Sequence, residues 1–156
     1  QYQPCNDGLL CVGQTLWGEG NCGPQWMAGK FIDDAVKQIP DHEAPWTCNT
    51  NCPGVTGSVI VYGLASVPVD ITVTVHIDHT SGEDLRVILT DPNGDQAVLW
   101  DKSDELKLKI ARSFVLTGIS RDDAVNGMWT LRVEDTKHGG GGYLKGWDLF
   151  VTSRWD

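Results

Sequence analysis

Two histidines three residues apart are the first side chains whose types and spacing suggest chemistry. His76 and His79 form a His-x-x-His pattern, and imidazole is a common zinc ligand. The residues around them alternate between apolar and polar types, which predicts a strand, and residues three apart on a strand point to opposite faces. This geometry disfavours a shared zinc ion. We expect His76 to lie on the polar face and His79 to support the following turn by hydrogen bonding.

Four aspartates form a candidate calcium site. Calcium binds carboxylate and carbonyl oxygens, and these aspartates fall at the expected ends of strands or on adjacent strands: Asp41, Asp84, Asp135 and Asp148. The chain has no EF-hand spacing, and carboxylates in such places also cap turns and form surface ion pairs. From the sequence, these four aspartates could equally bind a structural calcium ion or have only local roles in turns and ion pairs. The sequence suggests no other cofactor.

The cysteines are all in the first third of the chain. They are Cys5, Cys11, Cys22, Cys48 and Cys52. The Cys48-x-x-x-Cys52 pair has no second pair to complete a four-ligand zinc site, so one disulfide or two separate bridges are expected. One cysteine is left over if the other four pair. Disulfide staples of this kind are typical of secreted proteins.

A constellation for hydrolysis is not recognisable in the sequence. A serine protease needs a nucleophile, a general base and an orienting acid, often with a Gly-x-Ser-x-Gly turn. Single serines such as Ser58 and Ser81 lie among glycine and threonine, where strand and turn positions explain them. We therefore expect no catalytic residues, and an independent hydrolase is the least favoured interpretation.

The elements that must position these residues are strands. Apolar and polar residues alternate strictly in several segments, and no helical pattern separates them: 69–78, 85–89, 129–134 and 147–152. Asp91-Pro92-Asn93-Gly94 supplies the residues of a tight turn between strand 85–89 and the apolar run 97–100. The pattern predicts an all-β fold, a sandwich or jelly roll, over residues 38–156.

Residues 1–37 read as a separate extension or linker. They are rich in glycine and cysteine, so most of the segment is predicted to be irregular. One short helix is predicted after Pro24, because Met27, Phe31, Ala35 and Val36 share a face at helical spacing and Pro40 lies beyond its end.

Composition narrows the classes of function. The 156 residues carry a formal net charge of −9, which argues against nucleic acid as a partner. No run of about 18 apolar residues is present, so no membrane partner is expected. The sequence does not open with a basic and then apolar leader at Gln1, so we expect a mature or excised fragment. We expect a secreted, extracellular location.

The tryptophans divide into two groups. Trp100, Trp129 and Trp147 lie in strand segments and are expected in the core. The tryptophans outside the alternating strands are candidates for contact with a partner: Trp17, Trp26, Trp46 and Trp155.

Several motifs together resemble the P domain, or Homo B domain, of kexin and the proprotein convertases. The segment 73–94 contains a strand, His79-Thr80, Glu83-Asp84-Leu85 and a second strand that ends in a Pro-x-Gly turn. Segments 127–135 and 142–149 match the second half of the family, and Ile39-Pro40-Asp41 is similar to its usual opening. The resemblance covers residues 39–153 in the expected order.

The resemblance implies an eight-stranded jelly roll that follows a protease domain. The parent would be a subtilisin-like serine protease or, in bacteria, sometimes a metalloprotease. The module would assist the folding and stability of the catalytic domain and tune its response to calcium and pH. Gly82-Glu83-Asp84 stands where convertases commonly have Arg-Gly-Asp, so receptor binding through that tripeptide is not implied. The insertion 46–52 and the Cys-rich extension also depart from the family pattern.

The expected function is therefore a non-catalytic accessory domain whose partner is the catalytic domain of the same polypeptide. A protein or polysaccharide substrate is a further expected partner. The alternative is a carbohydrate- or matrix-binding module of an extracellular enzyme, since jelly rolls host sugar sites and an exposed tryptophan such as Trp17 or Trp46 can stack on a pyranose ring.

Overall fold

The protein is built almost entirely of β-strands. A computed structural model describes residues 9–14, 20–24, 26–43, 45–102, 108–116 and 125–155. The strands are β1 (Leu9–Gln14), β2 (Gly20–Pro24), β3 (Trp26–Asp33), β4 (Lys37–Ile39), β5 (Gly54–Val61), β6 (Val67–His79), β7 (Leu85–Thr90), β8 (Gln96–Asp101), β9 (Leu108–Leu116), β10 (Gly127–Asp135) and β11 (Gly142–Arg154). A single 3-10 turn, Gly82–Asp84, links β6 to β7. No helix in the described residues is long and apolar enough to cross a membrane.

Two antiparallel sheets form a β-sandwich. One sheet has the order β3-β11-β6-β9, with β4 also paired to β11, and the other has the order β5-β10-β7-β8. The long strand β11 lies inside its sheet, where it pairs with β3 and β4 along one edge and with β6 along the other. The predicted sandwich is confirmed. The eight-stranded jelly-roll connectivity stays a prediction.

The core lies between the two sheets and follows from the alternation of residues along each strand. In β6, Ile71, Val73, Val75 and Ile77 are buried, and the intervening residues face outwards. The centres of β10 and β11 contribute further fully buried side chains, and each such side chain contributes about 1.5–3 kcal/mol of hydrophobic stabilisation. The fold is thus held by apolar residues at every second position of its central strands.

The three tryptophans expected in the core are buried. Trp100 donates its indole N–H to the carbonyl oxygen of Gly82 at 2.8 Å, and Trp129 donates to that of Val125 at 2.9 Å. Trp147 is 1% exposed, and its Nε1 has no hydrogen-bond partner among the described residues. The prediction for these residues is confirmed.

The helix predicted after Pro24 is wrong, because this segment forms β3. Met27 and Phe31 are four residues apart, a spacing that fits one face of a helix and equally one face of a strand. Exposure alternates residue by residue along β3, with Trp26 outside and Met27 partly buried. Pairing of the whole strand with β11, from Asp33 opposite Trp147 to Trp26 opposite Arg154, satisfies the backbone and selects the strand. Ala35 and Val36 lie beyond the end of β3.

The segment 1–37 also contains a small hairpin. Strands β1 and β2 pair with each other, with Cys11 opposite Cys22 in the register. Cys5 lies outside the described residues. Because β3 belongs to the large sheet, part of the segment predicted as an extension lies within the sandwich.

The turn predicted at Asp91–Gly94 is confirmed between β7 and β8. The Asp91 carboxylate accepts hydrogen bonds from the backbone N–H groups of Asn93 and Asp95, both at 2.9 Å. Gly94 has φ +94°, a value that residues with a Cβ rarely adopt. Carboxylate, asparagine and glycine thus act together to close the hairpin.

Candidate functional site

His79, the last residue of β6, lies at the centre of a charged cluster at one end of the sandwich. Its side chain is 0% exposed, and its Nε2 lies 3.3 Å from the Asp135 carboxylate on β10. Its Nδ1 lies 2.8 Å from the carbonyl oxygen of Ser81, two residues further along the chain. The histidine therefore ties one sheet to the other and fixes the turn that follows it, as predicted.

Asp84 and Lys137 complete the charged cluster. The carbonyl oxygen of Asp84 accepts hydrogen bonds from the backbone N–H and the hydroxyl of Thr136, both at 2.7 Å. Its carboxylate lies 3.4 Å from the ammonium group of Lys137. Two carboxylates, one imidazole and one ammonium group thus share this end of the sandwich, so their charges are largely balanced.

The pKa of His79 is raised above its ordinary value. Burial acts to lower the pKa, since it removes water from the charged ring. The hydrogen bond to Asp135, the contact with the Ser81 carbonyl and the charges of Asp135 and Asp84 together outweigh burial. The protonated ring can donate from both nitrogens to these oxygens. Because both nitrogens are engaged and no part of the side chain is exposed, His79 has a structural role.

His76 and His79 do not point to the same site. The side chain of His76 is 45% exposed on the outer face and lies 3.8 Å from Asp148, whereas that of His79 is buried. The expectation that the two residues occupy opposite faces is confirmed, and its reason is the period of two along β6.

The four aspartates proposed as calcium ligands lie in three different surroundings. Asp84 and Asp135 belong to the charged cluster, and Asp148 lies beside His76. Asp41 accepts hydrogen bonds from the backbone N–H of Gly139, at 3.1 and 3.2 Å from its two oxygens. Among the residues that the structure describes, no group of three or more His, Cys, Asp or Glu side chains is placed to hold a metal ion. Calcium binding stays a prediction.

Three large apolar side chains stand exposed on the outer face of the five-stranded sheet: Trp26, Ile32 and Phe150. Two of the three are aromatic, and we call the set the aromatic face. Their exposures are 50%, 63% and 43%. Phe150 is paired with Lys30 on β3, which places it between the other two along the strand direction. Exposed apolar side chains grouped on one face are typical of a surface that contacts another protein.

Two of the other tryptophans predicted to contact a partner are exposed. Trp46 is 67% exposed, and its ring meets that of His42 edge to face, with 6.4 Å between centroids. Trp155 is 40% exposed after the end of β11. Trp17 lies outside the described residues. The structure thus places Trp26, Trp46 and Trp155 on the surface, and Trp155 directly follows Arg154, the residue that pairs with Trp26.

Comparison with known proteins identifies the family. The family described as the proprotein convertase P-domain matches residues 68–151, from the start of β6 to most of β11. The chain belongs to this family. The P domain is also 28% identical over 139 residues to the leupeptin-inactivating enzyme 1 of Streptomyces exfoliatus, a match that covers 88% of this chain and 30% of that protein.

Solved structures show the same fold. The P domain matches the serine protease of Aeromonas sobria with a TM-score of 0.54 and 15% identity, over 89% of this chain and 29% of that protein. A complex of that protease with the chaperone ORF2 gives a TM-score of 0.54 and 16% identity, over 86% of this chain and 28% of that one. The chain therefore spans less than a third of these relatives.

A small disulfide loop is fastened to the P domain beside the charged cluster. Cys48 and Cys52 form a disulfide, which confirms the first of the two pairings expected for them. Arg132 donates to the carbonyl oxygen of Cys52 at 2.7 Å, and Arg86 donates to that of Asn49 at 3.2 Å. Both arginines also lie within 4 Å of Glu134. Sequence reasoning missed these arginines, because no local spacing links them to the cysteines.

A cleft lies at the same end of the P domain, on the outer face of the five-stranded sheet. Its volume is about 470 Å³, and it is lined by Gln38, Asp78, His79, Thr80, Gly141, Gly142 and Tyr143. The register places Tyr143 directly between Gln38 of β4 and Asp78 of β6. Sequence reasoning missed the cleft, since its side chains come from three separate strands and a loop.

Proposed function

We propose that this chain is the non-catalytic P domain of a secreted protease, which packs against the catalytic domain of the same polypeptide and assists its folding and stability. Family membership supports the accessory role, and the chain covers less than a third of the relatives it matches. The aromatic face is the observation that carries the proposal, because it exposes three large apolar side chains on the outer face of one sheet.

The parent enzyme in this proposal is a subtilisin-like serine endopeptidase. One structural relative, from Aeromonas sobria, is a serine protease, which supports this class. A metalloprotease is the alternative parent enzyme, since the family resemblance implies such parents for some bacterial members. An extracellular location is supported by the Cys48–Cys52 disulfide, since such bonds persist in oxidising compartments.

The test compares the P domain alone with the full-length parent enzyme. We expect the double variant Trp26→Ala/Phe150→Ala to lower the melting temperature and the secreted yield of the full-length enzyme. Truncation of an anchor side chain at a protein interface commonly costs about 2 kcal/mol. The same variant should leave the melting temperature of the isolated P domain unchanged, because both side chains are exposed there.

Trp46→Ala is the matched control, since it removes an exposed tryptophan outside the aromatic face. It should leave the melting temperature and the secreted yield of the full-length enzyme unchanged. An inhibitor that reacts with serine nucleophiles should block the parent enzyme, whereas block by a chelator alone would indicate the metalloprotease parent. Equal stability and yield of the full-length enzyme with and without the double variant would contradict docking through the aromatic face.

A further inference from the structure

The cleft beside Tyr143 offers a combination of groups that the accessory role does not use. Tyr143 is 48% exposed, and the Gln38 amide and the Asp78 carboxylate flank it on the neighbouring strands. Among the described residues, no side chain or backbone group forms a hydrogen bond with the Gln38 amide or the Tyr143 hydroxyl. An aromatic ring between two planar polar groups, all open to solvent, is therefore available to a ligand.

Glycine backbone forms the floor of the cleft. A Cβ at Gly142 would overlap the carbonyl oxygen of Asp78 and lie 2.7 Å from the Cα of His79, so only glycine fits there. Gly141 donates its backbone N–H to the Thr80 hydroxyl at 3.1 Å, which holds the glycine run against β6. At Gly142 the backbone of β6 fills the space that a side chain would need, whereas Gly141 has no heavy atom within 4 Å of a Cβ and leaves open space in the cleft that Tyr143 also lines.

The charges around the cleft are already paired. The Asp78 carboxylate lies 3.6 Å from the ammonium group of Lys145, and His79 below it is paired with Asp135. A cationic ligand would have to compete with Lys145 for the carboxylate. A neutral ligand with many hydroxyl groups meets no such competition, and the carboxylate and amide oxygens can still accept its hydrogen bonds.

The strand pairing disfavours an extended peptide as the ligand. Peptides that add to a sheet need an unpaired strand edge. At the cleft, residues 142–144 of β11 are paired with β4 on one side and with β6 on the other. Strand β11 therefore offers no free edge here, and β4, whose other edge is unpaired among the described residues, is only three residues long and too short to hold an added peptide strand.

We propose that the cleft binds a sugar ring of an extracellular polysaccharide. The apolar face of the ring packs on Tyr143, and its hydroxyl groups form hydrogen bonds with Gln38, Asp78 and Thr80. Such binding would hold a parent protease on a polymer surface. The site is independent of the aromatic face, because Phe150 lies seven residues further along β11 than Tyr143, roughly 20 Å away at the rise of a strand.

Co-sedimentation of the full chain with chitin, cellulose and xylan tests this proposal. We expect retention on at least one of the three polymers, with binding at least tenfold weaker for Tyr143→Ala. Gln38→Ala, at another exposed position, should weaken binding in the same direction. Tyr62→Ala, at a tyrosine that is 73% exposed and does not line the cleft, is the matched control and should bind as the unchanged chain does, and the melting temperature of each variant establishes that it is folded.

Three results would overturn the proposal. These are no retention on any of the polymers, equal retention of the Tyr143→Ala variant, and a loss caused by Trp46→Ala instead. Binding to gelatin but to none of the polysaccharides would also reject it, in favour of a protein ligand. None of these outcomes bears on the aromatic face, so the accessory role would stand or fall separately.

Discussion

Removal of the Asp135 carboxylate should change both the stability of the P domain and its dependence on pH. Asp135 is 0% exposed and pairs with the buried ring of His79. Loss of one partner from a buried ion pair costs about 3–5 kcal/mol. Asn keeps the shape of the side chain and an oxygen for the backbone N–H of Lys137, which lies 3.2 Å from the carboxylate. We therefore expect Asp135→Asn to lower the free energy of unfolding by about 3 kcal/mol.

The pH dependence follows from the raised pKa of His79. A folded-state pKa above the unfolded value means that the protonated ring stabilises the fold fully below about pH 6.5, the unfolded value. This stabilisation is lost as the pH rises through the folded-state pKa. The free energy of unfolding then falls by up to about 1.4 kcal/mol per pH unit for the one proton involved. In Asp135→Asn the largest raising cause is gone, the pKa of His79 drops, and this fall above pH 6.5 disappears.

Urea unfolding between pH 5.5 and 9, together with an NMR titration of the His79 ring, measures both effects. Asp148→Asn is the matched control, because Asp148 lies outside the charged cluster, 3.8 Å from His76, whose side chain is 45% exposed. It should cost less than about 1 kcal/mol and leave the pH profile unchanged. If Asp135→Asn kept the same fall in stability above pH 6.5, the assignment of the raised pKa to this ion pair would be refuted.

Two further changes test the packing and the disulfide loop. Gly57→Ala would place a Cβ 2.6 Å from Nε1 of the buried Trp147, and we expect a loss of about 1–3 kcal/mol in chemical denaturation. Gly141→Ala, where no heavy atom lies within 4 Å of the new Cβ, should cost less than about 0.5 kcal/mol, and an equal cost at both sites would contradict the steric reasoning. Replacing Cys48 and Cys52 together by Ser opens a short loop, for which the chain-entropy relation gives a loss of about 2 kcal/mol. An unchanged melting temperature under oxidising conditions would show that Arg86 and Arg132 hold the loop in place without the disulfide bond.

The central strands could be predicted from the sequence because their signal is local. In β6 and β10, apolar residues recur at every second position, and one face of each strand is buried as a result. The Asp91 turn is local as well, since the residues that close the hairpin are neighbours in the chain. Where the determinants of structure lie within a few residues, the sequence was sufficient.

The helix prediction failed because its decisive interaction is distant. Met27 and Phe31 fit both periods, and pairing with β11 decides between them. The charged cluster could likewise not be predicted from the sequence, since His79 and Asp135 are 56 residues apart. The two residues were singled out separately, one as a turn residue and the other as a calcium ligand. No spacing in the sequence connects groups that meet only when two sheets pack together.

The position of β11 inside the five-stranded sheet also affects how the chain folds. Phe31 of β3 pairs with Leu149 of β11, so a strand near the beginning of the described chain acquires its neighbour near the end. During synthesis on the ribosome, β3 has no strand to pair with until β11 has been made. The edge of β6 that pairs with β11 is also unpaired until then. Contacts between such distant segments slow folding and leave strand edges exposed in the meantime. A nascent chain of this kind is therefore most vulnerable to aggregation just before its last strand emerges.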